Sequence, residues 1–68
     1  MAIVKVIEVI AQSDESWEDA AQKALSEASK TVRNIQSIYA KEFQAIVKDN
    51  EITKFRLNAK ISFLVDDD

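Results

Sequence analysis

"TVRNIQSIYAKEF", residues 31–43, is where the chain changes from helical to extended periodicity. The elements on either side follow from that junction. Up to Asn34 the stretch closes a helical pattern. From Ile35 to Val47 the pattern is extended, with Ile38 and Ala40 on one parity and Phe43, Ala45 and Val47 on the other. A slip of one residue near Lys41-Glu42 is what a β-bulge produces, and it predicts a bent strand.

Working back from the junction, residues 12–34 carry the helix. Ser13 or Ser16 can serve as N-cap, and Ser16-Trp17-Glu18-Asp19 resembles a capping box in which Asp replaces the usual Glu. Asp14, Glu15, Glu18 and Asp19 crowd the start, while Lys30 and Arg33 sit at the predicted end, as the helix dipole favours. Trp17, Ala20, Ala21, Ala24, Ala28 and Val32 form one stripe at helical spacing. Being mostly alanine, that stripe lets the helix lie close to a sheet. Trp17 on its first turn reads as a packing anchor rather than a ligand platform.

Further back, residues 2–11 are a strand rich in β-branched side chains. Val4, Val6 and Ile10 point one way, Ile3, Ile7 and Val9 the other, with Lys5 and Glu8 interrupting. A strand apolar on both faces needs cover on both. Forward of the junction, residues 48–51 read as a tight hairpin turn in which Asp49-Asn50 tolerate positive φ where glycine would normally serve. In the last strand Phe55, Leu57, Ala59, Ile61, Phe63 and Val65 face one way, and Lys54, Arg56, Asn58, Lys60 and Ser62 the other. The order is β-α-β-β, an α+β domain. Its long, bent hairpin strands partly wrap a single helix across one face of an antiparallel sheet.

Residues 1–68 form a single domain, with no linker, repeat or low-complexity segment. A chain this short builds a marginal core. Cys and His are both absent, so neither disulfides nor the commonest metal ligands supplement it. Oligomerisation remains, and the 47% apolar content fits it. With no Gly, phosphate-cradling loops, nucleotide fingerprints and the nucleophile elbow are excluded. An enzyme would have to use carboxylates, Lys or Tyr39, and the expectation is no enzyme. Nine basic against twelve acidic residues, three of the latter in Asp66-Asp67-Asp68, argue against nucleic acid. No stretch has membrane-span length and no signal peptide is recognisable, so the expected setting is the cytoplasm.

The stretches "KVIEVIAQSDESWEDAAQKALSEASKTVRNI" and "FRLNAKISF" give the chain a resemblance to the dodecin family over essentially its whole length. The most specific parts are K-V-I-E, S-x-E-S-W-E-x-A at the helix start and S-K-T-V-R-N at its end. The resemblance implies a homododecamer, a hollow shell with the sheets lining the interior and the helices outside. It also implies non-catalytic binding of flavins such as riboflavin or FMN. In the flavin binders a Trp from each of two subunits stacks on paired rings, and a Gln on the last strand hydrogen-bonds the polar edge.

This chain departs from that pattern at both places: Ser37 aligns with the Trp and Arg56 with the Gln. Stacking contributes roughly 0.5–1.5 kcal/mol beyond area burial. With two platforms missing per pocket, affinity should drop by about tenfold or more. The chain is thereby similar to the branch described as calcium dodecins. Glu42 aligns with an acidic position near the ligand aperture and is the candidate ligand for calcium or magnesium, converging with its mates around a symmetry axis. Such an ion needs six to eight oxygens, and no EF-hand spacing is present. The sequence therefore leads to a self-assembled shell binding a small ligand, by family a flavin, in a weakened pocket. The alternative is a cation-binding or purely structural shell.

Overall fold

The computed structural model describes residues 3–65. Ala2, at the start of the predicted first strand, and Asp66-Asp67-Asp68 lie outside the described residues. The elements are β1 (Ile3–Ser13), α1 (Trp17–Ala28), β2 (Ile35–Lys48) and β3 (Glu51–Val65). They build one antiparallel sheet in the order β1-β3-β2.

The two-residue turn between β2 and β3 has Asp49 at φ 53° and Asn50 at φ 64°, the positive-φ pair expected there. The slip in β2 is also where the pattern predicted it. Ala40 pairs with Ala59 and Glu42 with Asn58, so Lys41 is the extra residue. The bulge keeps both Ile38 and Phe43 on the helix side, although they differ in parity. A second irregularity, between Ile35 and Ser37, had no counterpart in the hydrophobic pattern.

The helix is shorter than its stripe predicted. It ends at Ala28, where the Ser29 N–H bonds the Leu25 carbonyl at 2.9 Å. Val32 is thus off the stripe, its N–H bonding the Ala28 carbonyl at 2.9 Å. Lys30 and Arg33 fall outside the last turn, which holds no basic residue. Asn34 at φ 62° turns the chain toward the sheet, and its carbonyl accepts from the Leu64 N–H at 3.0 Å. The positive φ of Asn34 and its bond to β3 are incompatible with a continued helix, in a segment where Thr31 and Val32 are weak helix formers.

At the other end Ser16 is the N-cap, its hydroxyl accepting from the Asp19 N–H at 2.9 Å. The reciprocal half of the capping box does not form. Asp19 is one methylene shorter than Glu, and its carboxylate accepts from the buried Ser13 hydroxyl at 2.6 Å. Ser13 Oγ in turn accepts from the N–H groups of Glu15 and Ser16.

Ala11, Ala20, Leu57 and Ala59 form the core, with Val9, Trp17, Ala21, Ala24 and Ile38 packed on it. Twelve helical residues span about 18 Å, whereas the fifteen of β3 span about 50 Å. One helix therefore covers a minority of the sheet. It lies mainly over β1 and β3 and reaches β2 through Trp17. The indole meets Phe43 and Phe55 edge-on, at centroid distances of 5.8 and 4.9 Å. Its Nε1–H donates to the Gln44 carbonyl at 3.2 Å.

Candidate functional site

The sheet face away from the helix carries all three residues singled out in the sequence. Register places it in cross-strand rows running β1-β3-β2: Val6, Ser62, Ser37; then Glu8, Lys60, Tyr39; then Ile10, Asn58, Glu42; then Gln12, Arg56, Gln44. Successive rows are about 6.6 Å apart.

Arg56 is set by the last of these rows. Its Nε and Nη2 both donate to the Gln12 Oε1, at 3.0 and 2.7 Å. A neutral amide holds the guanidinium in place and leaves its charge uncompensated by that partner. Glu42, one row away, accepts from the Asn58 Nδ2 at 3.2 Å. Glu42, Arg56, Asn58, Gln44, Ile10 and the Phe43 segment enclose an open concavity of about 520 Å³. An arginine and a carboxylate in one open concavity can take hydrogen-bonding ligands of either polarity.

Ser37 lies elsewhere on the same face. Its hydroxyl is hydrogen-bonded to that of Ser62 at 2.5 Å. Ser62 is six positions along β3 from Arg56, a distance of roughly 20 Å along the strand. One chain thus brings Glu42 and Arg56 together and leaves Ser37 apart. Between them Lys41, displaced by the bulge, reaches across β3 to the Glu8 carboxylate at 3.2 Å.

For a cation, no cluster of three or more His, Cys, Asp or Glu side chains occurs among the described residues. A site built on several carboxylates around Glu42 would have to draw on groups beyond the described residues of one chain. Among the described residues no helix is long and apolar enough to cross a membrane.

Sequence reasoning named neither Gln12, the partner that orients Arg56, nor Tyr39, a 65% exposed ring, as a binding residue. Tyr39 was legible: it has the parity of Ser37, two residues on. Gln12 was not, because the predicted strand stopped at residue 11, one short of it.

A three-stranded antiparallel sheet with one helix on one face and an open, hydrogen-bonding opposite face defines a small β-α-β-β class of α+β domain. The dodecin family model matches residues 3–66, and the chain belongs to the dodecin family. Among solved structures, it is similar to the calcium dodecin of Mycobacterium tuberculosis, described as a calcium-chelating immunodominant antigen with a novel calcium-binding site. That match has 31% identity and a TM-score of 0.80, covering 90% of this chain and 87% of that one. A variant of the Thermus thermophilus dodecin matches at 24% identity and TM-score 0.93 over all of both chains. The dodecin from Streptomyces davaonensis matches at 21% and 0.91, over 97% of each. No curated protein sequence matches significantly.

Proposed function

We propose that this chain is a non-catalytic, self-assembling ligand binder, a homododecameric shell whose open sheet face takes a flavin-type molecule weakly. The observation that carries this reading is that face itself. It presents Ser37, Arg56 and Glu42 to solvent beside the exposed apolar Val4, Val6 and Ile10 of β1. A lone chain would leave that apolar surface in water, and closed symmetric association removes it. The Ser37–Ser62 hydroxyl pair stands where the resemblance puts a stacking Trp, which supports weak rather than tight flavin binding. Because Ser37 and Arg56 are far apart in one chain, a ring that meets both positions has to lie between copies.

Native mass spectrometry of the protein as isolated tests this directly. The expected species contains twelve chains of 7.7 kDa. Riboflavin titration of that assembly should give weak, saturable binding. A stable monomer at micromolar concentration would overturn the reading.

A second reading, cation binding, is supported by the 31% identity to a calcium dodecin and by Glu42 on the open face. Calorimetric titration with calcium, compared between the parent and Glu42→Gln, tests it. Heat that survives the substitution would remove Glu42 from that role.

A further inference from the structure

Beyond the residues already assigned, the open face carries one large aromatic side chain. Tyr39 is 65% exposed and sits opposite Lys60 in register. Its sequence neighbours Ile38 and Ala40 pair with the fully buried Ile61 and Ala59, and Ile38 packs on the core. The backbone beneath Tyr39 is thereby anchored, so the ring stands on rigid strand rather than on a loop. In the next row Ser37 and Ser62, both small, bond each other beside the ring, with Val6 at the far end of the row on β1. On the other side the Lys41 ammonium is drawn across the sheet to the Glu8 carboxylate, at the far end of the row that holds Lys60 and Tyr39.

We infer that Tyr39 is the aromatic platform of this face, stacking a flat fused heteroaromatic ring beside the Ser37–Ser62 pair. This rests on the small-ligand reading above and names the group that recognises the ring. Exposed tyrosine offers a large rigid π-surface at little conformational cost, and an offset stack suits a fused heterocycle. The Lys60 ammonium and the one serine O–H not spent in the Ser37–Ser62 bond supply donors for the carbonyl edge of such a ring. The aromatic group missing at position 37 is thus provided two residues along the same strand, on the same face.

Lumichrome, a flavin-type ring without a sugar chain, is the probe, followed by fluorescence anisotropy against the assembled protein. Tyr39→Ala and Tyr39→Leu should each weaken binding roughly 3- to 10-fold, and Tyr39→Trp should tighten it by a similar factor. The Leu variant keeps apolar bulk, so equal affinity of Leu and parent would overturn ring stacking. Unchanged affinity across all three variants would overturn any role for this residue while leaving the ligand reading intact. No binding of lumichrome or riboflavin by the parent would overturn the ligand reading itself.

Discussion

The indole N–H of Trp17 donates to the main-chain carbonyl of Gln44 at 3.2 Å, tying the first turn of α1 to β2 just past the Lys41 bulge. Gln44 O lies on an edge strand, where a carbonyl has no ladder partner on its outer side. The bond and the edge contacts with Phe43 and Phe55 make Trp17 the link between helix and hairpin. Trp17→Ala should destabilise the fold by about 3 kcal/mol, the low end of the range for such truncations because the indole is only half-buried. Urea unfolding measures this, and lumichrome affinity of the intact assembly should not change. Loss of binding with unchanged stability would show that the indole is a ligand platform.

Ser37→Trp combined with Arg56→Gln should tighten riboflavin binding about tenfold or more. The two positions are too distant to interact within one chain, so a double-mutant cycle carries information. Coupling of roughly 0.5–3 kcal/mol would mean that assembly brings them to one ring, whereas additive effects would mean that they act separately.

Asn50 holds φ at 64° in the hairpin turn. Asn50→Ala should cost about 1 kcal/mol, since a Cβ without a local hydrogen-bonding group disfavours that region. Asn50→Gly should instead raise stability. Thermal melts of both variants against the parent check the sign, and equal losses would argue that the Asn side chain has another role.

Asp19 has its carboxyl pKa lowered, first by the hydrogen bond from the Ser13 hydroxyl and then by Lys23. Its depressed folded value means that the stabilisation is present above the unfolded pKa and is lost as pH falls through the folded one. The acid limb of the stability curve, below about pH 4, should therefore flatten in Asp19→Asn. Lys23 is shifted upward by the same pairing, so its share is complete below its unfolded pKa and fades at alkaline pH. Melting temperature against pH for the two proteins gives the comparison. Parallel acid limbs would remove Asp19 from this account.

Local pattern carried much of the architecture. Alternation located the strands, the Asp49-Asn50 pair marked the turn, and a single parity slip located the bulge at Lys41. Such features depend on nearest neighbours along the chain, where side-chain period and φ tolerance act directly. The helix end was misread because apolar spacing continued to Val32, while the Asn34–Leu64 hydrogen bond claims that segment for the sheet. The capping geometry was misread because Asp19 turns to Ser13, six residues back and part of β1.

By itself, then, the sequence determined the element order, the turn, the bulge and which residues share each face. Tertiary structure decided the pairings between residues distant in sequence. It put Arg56 on Gln12, 44 positions away, and Trp17 on Gln44, 27 positions away. It also set Ser37 apart from Glu42 and Arg56 on one open face, and it left Tyr39 exposed there. The physical reason is register: periodicity tells a strand residue which face it takes, but only pairing with β3 tells it which neighbours it meets.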